Sequence, residues 1–208
     1  PFRKEVVLPT KFHIGELSKP DEVNLYREIR RHLEDSMKRL CTDYIDLYYL
    51  HRVNETVRLE DVAIVMGRLV KEGLIRGRGL SQVTADEIRA AHEKSALSAV
   101  QNIYSMVERD CETEIFPVCL KKGIGVVPFS PIASGFLSGK VTAQERFGFD
   151  DVRKFVPQLS KENIEANRPI LDLLHRFAVE KNATNAQISL AWMLHKYPNV
   201  VPIPGSKN

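Results

Sequence analysis

Cysteine is scarce in this sequence, and the scarcity argues against two kinds of site. The 208 residues contain three cysteines, and the nearest two stand eight positions apart. Three scattered thiols cannot form a disulfide framework, and a spacing of eight matches no common zinc-ligand pattern. We therefore expect no metal site, and reduced, packed cysteines of the kind found in cytoplasmic proteins. The three residues are Cys41, Cys111 and Cys119.

Long apolar runs are missing as well. No stretch approaches the ~20 consecutive apolar residues that a membrane-spanning helix needs. The first residues also lack the pattern of a signal peptide. We expect no membrane partner and a cytoplasmic location.

An excess of one charge is the third absence. The net charge is only +3, because 30 basic residues are offset by 27 acidic ones. The one dense stretch, "REIRRHLEDSMKR" at 27–39, alternates in sign as a solvated helix face does. Nucleic acid is therefore not an expected partner.

Alternation of two kinds of segment dominates what remains. Short apolar runs predict strands at 5–10, 44–50, 75–81, 98–103, 123–130 and 199–204. Amphipathic segments between them predict helices at 21–40, 59–72, 84–93, 108–122 and 162–196, the last dividing near Asn182. Strands and helices in this order predict an α/β fold built from parallel βα units.

No G-x-G-x-x-G follows any predicted strand, so the dinucleotide fingerprint of an open doubly wound sheet is missing. The pattern favours a (β/α)8 TIM barrel, with six of the eight strands represented. We expect residues 1–208 to be a single barrel domain that is incomplete at both ends.

Polar or small residues follow every predicted strand. In a barrel of parallel strands the carboxyl ends meet at one rim, where reactive groups gather. We therefore expect a binding rim built from these strand ends. They carry Lys11, His51, Ser81 with Gln82, Gln101 with Asn102, Phe129 with Ser130, and Gly205 with Ser206 and Lys207.

Four motifs resemble the aldo-keto reductase family in their order and spacing. They are "LCTDYIDLYYLHRVN", "VKEGLIRGRGLSQV", "AVQNIYSMVERD" and "GIGVVPFSPIASGFLSGK". The closing "VPIPGSKN" resembles the family's last barrel strand and the start of its cofactor loop. The Y-x-x-H-R strand is similar to the branch that includes microbial reductases and the potassium-channel β-subunits.

The resemblance implies an NADPH-dependent enzyme that reduces aldehydes or ketones. In the family a tyrosine donates the proton, an aspartate and a lysine tune it, and a histidine orients the carbonyl. By motif, Lys11 resembles the family lysine and His51 the family histidine. The family's aspartate and tyrosine lie upstream of the strand that matches 5–10, and no residue here matches them. We expect cofactor binding, with turnover only where that tyrosine is supplied.

We assign the role of the missing proton-donating tyrosine to no other residue of this sequence. Four tyrosines stand near the motifs, and three of them lie within or before a strand, where packing is the better interpretation. Asp46 lies inside an apolar strand, which predicts a buried partner rather than a catalytic role. Arg52 is predicted to be a structural ion-pair member. The tyrosines are Tyr44, Tyr48, Tyr49 and Tyr104.

The resemblance also implies a cofactor site. Ser81, Gln82 and Gln101 resemble the group that hydrogen-bonds the nicotinamide carboxamide, and Phe129 stands where an aromatic ring stacks on the nicotinamide. The pyrophosphate loop is matched by Ser130, Ile132, Ser134, Gly135 and Leu137. Ser206 and Lys207 are candidates for the adenosine 2′-phosphate, which would favour NADPH over NADH.

Two alternatives stay open. The chain could be a non-catalytic nucleotide-binding barrel that acts as a regulatory or structural subunit. Lys11 could also be a Schiff-base nucleophile, since barrel aldolases place a lysine at a strand end. The sequence predicts a small carbonyl substrate without naming it, and it predicts no oligomeric state.

Overall fold

The computed structural model describes residues 2–15, 21–144 and 146–205. The chain divides into two compact units, one formed by Pro1–Asn102 with Glu112–Val126 and the other by Ile103–Cys111 with Val127–Asn208. The first unit holds a parallel sheet in the order β1-β2-β3-β4-β5. Its strands are β1 (Pro9–Phe12), β2 (Ile45–Leu50), β3 (Ile75–Ser81), β4 (Ala99–Gln101) and β5 (Gly125–Val126). Its helices are α1 (Glu22–Arg39), α2 (Leu59–Lys71), α3 (Ala85–Lys94) and α4 (Ile115–Lys122). The predicted α/β class with parallel βα units is confirmed.

In the first unit, α1 and α3 begin and α4 ends at residues with recognisable capping chemistry. Asp21 accepts a hydrogen bond from the Asn24 N–H at the start of α1. Thr84 and Glu87 form the reciprocal capping box predicted for α3. Gly123 ends α4 in the left-handed conformation, where a side chain would be strained. These local signals explain why the helix bounds could be read from the sequence.

The two faces of the sheet carry different residues. The side chains of Phe12, Tyr48 and Arg78 lie on the face that the helices cover, where the Phe12 and Tyr48 rings stack. On the same face the Arg78 guanidinium donates to the Ala91 carbonyl of α3 at 2.6 Å. The register places Lys11 opposite Tyr49 and Tyr49 opposite Gly79, so these residues share the other face. The Tyr49 ring lies over Gly79, because a Cβ there would meet ring carbons at 2.3–2.4 Å.

An ion-pair cluster forms at the amino-terminal edge of the sheet. Asp46 is 8% exposed and accepts from Arg3 at 2.6 Å and from Arg76 at 3.1 Å. The Leu8 N–H donates to the same carboxylate at 3.0 Å. Both guanidinium groups also lie on the Tyr44 ring, at 3.8 and 4.2 Å from its centroid. Asp46 is paired as predicted, but its partners are not buried, because the side chains of Arg3 and Arg76 are 24% and 61% exposed.

The second unit is built from helices and an irregular loop. It holds α5 (Lys161–Ala166), α6 (Arg168–Glu180) and α7 (Asn185–Lys196), together with a 3-10 segment at Ala133–Ser138. Thr184 caps α7 in a second capping box with Gln187, as the predicted division of 162–196 requires. The core of this unit is a cluster of buried apolar residues: Ala133, Phe136, Leu137, Val141, Leu159, Ile164 and Leu174.

Four predicted elements differ from the structure. The strand predicted at 123–130 is only Gly125–Val126. The first strand begins at Pro9 rather than at 5, because Arg3–Glu5 forms a 3-10 turn and Arg3 is bound to Asp46. The helix predicted at 108–122 begins only at Ile115. The strand predicted at 199–204 does not form in the described part, which ends at 205. Pro202 and Pro204 lack backbone donors, and one hydrogen bond joins the Ile203 N–H to the Pro128 carbonyl. The described sheet therefore has five strands, not six.

Two absences are limited to the described residues. None of their helices is long and apolar enough to cross a bilayer. No cluster of three or more metal-ligating side chains occurs among them.

Candidate functional site

The carboxyl ends of β1 and β2 bring Lys11 and His51 to one edge of the sheet. Lys11 is in register with Tyr49, and the His51 N–H donates to the Phe12 carbonyl at 2.9 Å. The charge of Lys11 also acts on His51, which places the two side chains in the same electrostatic environment. The parallel register thus brings Lys11 and His51 to the same edge of the sheet, and their catalytic roles remain predictions. Lys11 lies within β1, whereas the sequence placed it just after the strand.

Burial and neighbouring cations shift both groups in the same direction. Burial lowers the pKa of Lys11, and the charge of Arg52 lowers it further. Burial likewise lowers the pKa of His51, with further contributions from Arg52, His13 and Lys11. The lowered pKa favours the neutral form of the His51 ring. A neutral imidazole can donate one hydrogen bond to an oxygen that gains negative charge.

His13 is a neighbour that the sequence interpretation missed. Its ring lies 4.5 Å from the His51 ring, centroid to centroid, with the two planes tilted by 47°. His13 stands two positions after Lys11 in the sequence, so in an extended strand the two side chains lie on the same face. That spacing was the only signal that could have identified His13.

Arg52 contacts this edge in a way the sequence did not predict. Its guanidinium Nη1 donates to the Ser81 hydroxyl at 3.0 Å and to the His51 carbonyl at 2.6 Å. Within the described chain no carboxylate pairs with Arg52, so the predicted ion pair is wrong as far as the structure describes it. The contact instead ties the end of β3 to the residue that follows β2.

The ends of β3 and β4 place three predicted cofactor residues together. Ser81 ends β3 and is 1% exposed, and the Gln82 N–H donates to the Gln101 carbonyl at 3.0 Å. Gln101 is 5% exposed. Asn102 is equally buried, and its amide donates to the Val83 carbonyl at 2.8 Å. The Gln101 side chain is an amide with both donor and acceptor groups.

The other predicted cofactor residues lie in the second unit, in the loop 129–139. Phe129 pairs with Ile103 in a short β-bridge. Ser130 and Ser134 line a cavity of about 450 Å³, together with Phe129 and residues of 152–158. Ile132 is half-buried, whereas Leu137 is fully buried in the core cluster and its N–H donates to the Ile132 carbonyl. The structure therefore puts Phe129, Ser130 and Ser134 on the cavity wall and Leu137 in the core.

Positive φ occurs at several of the predicted cofactor positions. Six described residues other than glycine have positive φ, and two of them, Cys41 and Asn182, follow the ends of α1 and α6. The other four do not end an α-helix: Gln82, Ser130, Ala133 and Ser134. Gly135 follows them with φ of 102°. Strained non-glycine residues gather at ligand sites more often than elsewhere, and consecutive left-handed residues can turn backbone N–H groups toward an anion.

Ser206 and Lys207, the predicted 2′-phosphate residues, lie outside the described residues, and their roles remain predictions.

Comparison with known proteins identifies what this chain resembles. A model of the Aldo/keto reductase family matches residues 1–208. A probable aldo-keto reductase of Glycine max is 39% identical over 206 residues, which are 98% of this chain and 59% of the relative. The chain thus spans about three fifths of the curated relative that it matches.

Two solved structures are similar in fold. A glycerol dehydrogenase of Gluconobacter oxydans aligns with a TM-score of 0.83 at 26% identity, over 95% of this chain and 62% of its own. A thermostable aldo-keto reductase, solved in complex with the inhibitor epalrestat, aligns with a TM-score of 0.71 at 28% identity, over 99% of this chain and 63% of its own. The predicted fold class, that of the (β/α)8 aldo-keto reductases, is confirmed.

Proposed function

This chain belongs to the aldo/keto reductase family, and on that premise we propose that it reduces aldehydes or ketones to alcohols with NADPH as hydride donor. The observation that carries the proposal is that the parallel register brings Lys11 and His51 to the carboxyl edge of the sheet, the edge at which Gln101 ends β4.

His51 is proposed to orient the carbonyl group. Its neutral ring donates to the substrate oxygen, and the bond strengthens as that oxygen gains negative charge. Lys11 supplies a positive charge at the same edge. That charge would favour the anionic form of the proton donor, which in the family is the tyrosine that no residue here matches. When bound, the nicotinamide supplies the hydride, and the protein's task is to position and polarise.

Each unit by itself carries groups that fit part of a nicotinamide nucleotide. Gln101 can both donate to and accept from a carboxamide, and Ser81 and Gln82 lie beside it at the ends of β3 and β4. In the second unit, Phe129 offers a ring for stacking. The strained loop through Ser130, Ser134 and Gly135 offers hydroxyls and backbone donors for anionic oxygens. The preference for NADPH over NADH rests on Ser206 and Lys207.

Cofactor binding is the direct test. Titration of the full chain with NADPH, followed by nicotinamide fluorescence, should show saturable binding that is tighter than for NADH. Gln101→Ala should weaken binding about tenfold, because the loss of amide hydrogen bonds is worth roughly 1–1.5 kcal/mol. The matched control is Gln144→Ala, which makes the same change on an exposed loop residue and should leave binding unchanged.

Turnover separates the proposal from its alternatives. Addition of an aldehyde should consume NADPH where the family's tyrosine is supplied as proton donor. Tight NADPH binding without consumption of any aldehyde or ketone, even where that tyrosine is supplied, would instead favour a regulatory nucleotide-binding role. A borohydride-stable adduct at Lys11 would favour Schiff-base chemistry and overturn the proposal.

A further inference from the structure

His13 stands out among the groups at the carboxyl edge, because the family resemblance gives it no role. It is exposed and follows β1 directly. Its ring contacts the ring of His51 at 4.5 Å. An exposed histidine would ordinarily point into solvent, so its packing on another imidazole needs an explanation.

The backbone holds the two rings together. The His51 N–H donates to the Phe12 carbonyl at 2.9 Å, and this bond continues the β1–β2 ladder one step past Leu50. His13 and His51 are therefore the next residues of two paired strands. Their separation is set by the sheet rather than by a loose loop, so the contact is built into the fold.

We propose that His13 is a positioning residue, which packs on the His51 imidazole and keeps it uncharged and in a fixed orientation at the substrate edge. The inference rests on the proposed function, because an oriented neutral imidazole matters only if His51 polarises a carbonyl. His13 itself makes no contact with substrate in this scheme and acts through His51.

The charges around His51 act in the same sense. Lys11 and His13 face it from the β1 side, Arg52 follows it in the chain, and Ser81 of β3 accepts from Arg52. No carboxylate of the described ranges is paired with Lys11, His13, His51 or Arg52. Burial and these three basic neighbours together lower the pKa of His51. These charges therefore oppose a proton on His51.

Titration of His51 by NMR tests the inference without any cofactor. Imidazole resonances of the full chain would be followed against pH in the wild type, in His13→Phe and in His13→Lys. His13→Phe keeps an aromatic ring and removes the charge, so the midpoint of His51 should rise. His13→Lys keeps a charge and removes the ring, so the midpoint should stay low while the ring-current shift of His51 is lost.

Controls separate a local effect from a general one. Burial, Lys122 and Arg78 lower the pKa of His92. The titration midpoint of His92 should not move in any of these variants. His175→Phe makes the same substitution on an exposed helix and should leave the His51 midpoint unchanged. A His51 titration identical in the wild type, His13→Phe and His13→Lys would overturn the inference.

The failure of this inference can be told from the failure of the proposed function. If the midpoint moves as expected and the chain also consumes NADPH, the acid limb of the rate profile should move to higher pH in His13→Phe. A midpoint that moves in a chain that neither binds nor consumes NADPH would sink the reductase proposal and leave only a structural contact. Retained NADPH consumption with an unmoved midpoint would sink the role of His13 alone.

Discussion

The two edges of one parallel sheet use charge in opposite ways. At the amino-terminal edge, the buried Asp46 is paired with Arg3 and Arg76 and accepts a backbone N–H as well. At the carboxyl edge, Lys11, His51 and Arg52 lie together with no carboxylate paired to them in the part of the chain that is described. At the amino-terminal edge the charges are paired with one another. At the carboxyl edge the basic groups repel one another.

The difference separates stability from function. A paired and hydrogen-bonded carboxylate lowers the free energy of the folded state. Basic groups crowded at an edge raise it, and they persist where a ligand or a reaction uses them. Substitutions at the amino-terminal edge should therefore weaken the fold, whereas substitutions at the carboxyl edge should alter chemistry.

The largest expected effect is on catalysis by His51→Ala. In the NADPH-consumption assay this variant should lower kcat about 100-fold, the lower range for loss of a group that acts on the reacting atoms. Its urea midpoint should stay close to that of the wild type, because His51 is only half-buried and its charged form is disfavoured in the fold. A large loss of stability with full activity would reverse the assignment of the two edges.

Between the edges the sheet face is packed as a core, and Gly79→Ala tests this. A Cβ at Gly79 would lie 2.3 Å from the Tyr49 ring and 2.9 Å from the Ala99 carbonyl, which belongs to the backbone. We expect a loss of about 2 kcal/mol in the free energy of unfolding, as for an overpacked core. Gly148→Ala, where nothing lies within 4 Å, should change it by less than about 0.5 kcal/mol. Equal effects of the two variants would contradict the packing of Tyr49 on Gly79.

Much of this arrangement could be predicted from the sequence, for local reasons. The helices have apolar periodicity and short-range caps, so Thr84 and Thr184 marked their starts correctly. The strand ends with Lys11 and His51 followed from parallel βα order.

The features that could not be predicted depend on contacts between distant residues. Arg3 reaches Asp46 across 43 positions and keeps 3–5 out of the first strand. The rings of His13 and His51 are in contact although they follow two different strands. Apart from the two-residue spacing of His13 from Lys11, the local sequence does not indicate this contact. The positive φ of Gln82 and Ser130 depends on the loop geometry, since neither residue favours that conformation by itself.

Asp46→Asn should weaken the amino-terminal edge. Burial opposes the charge of Asp46, but bonds from Leu8 and Arg3 and the charges of Arg3 and Arg76 outweigh it and lower the pKa of the carboxyl. The free energy of unfolding should fall by about 1–2 kcal/mol at pH 7, less than for a fully buried pair because Arg76 is 61% exposed. Asp86→Asn, which breaks an exposed pair with Arg89, is the matched control and should have almost no effect.

The pH dependence of this variant carries the same information. A lowered folded-state pKa means that Asp46 stabilises the fold above the pKa of the unfolded carboxyl, and the contribution is lost as pH falls through the folded value. The difference in unfolding free energy between wild type and Asp46→Asn should therefore shrink on acidification. A difference that stays constant down to strongly acidic pH would show that the charge of Asp46 is not what holds Arg3 and Arg76.

The smallest expected effect is a gain in stability from Lys11→Met at the opposite edge. Burial and Arg52 lower the pKa of Lys11, so the folded state releases this proton before the unfolded state does. Because the unfolded state then binds more protons, wild-type stability rises with pH between the folded and unfolded values, and the charged lysine disfavours the fold below that window. Since Lys11 is partly exposed, solvent screening keeps the gain below about 1 kcal/mol at neutral pH. Urea unfolding at pH 7 and in the alkaline range measures this gain in stability, and the advantage of Lys11→Met should disappear as the wild-type lysine is deprotonated.

A Lys11→Met variant less stable than the wild type at pH 7 would mean that Lys11 is a paired, stabilising charge, and the contrast between the two edges would not hold.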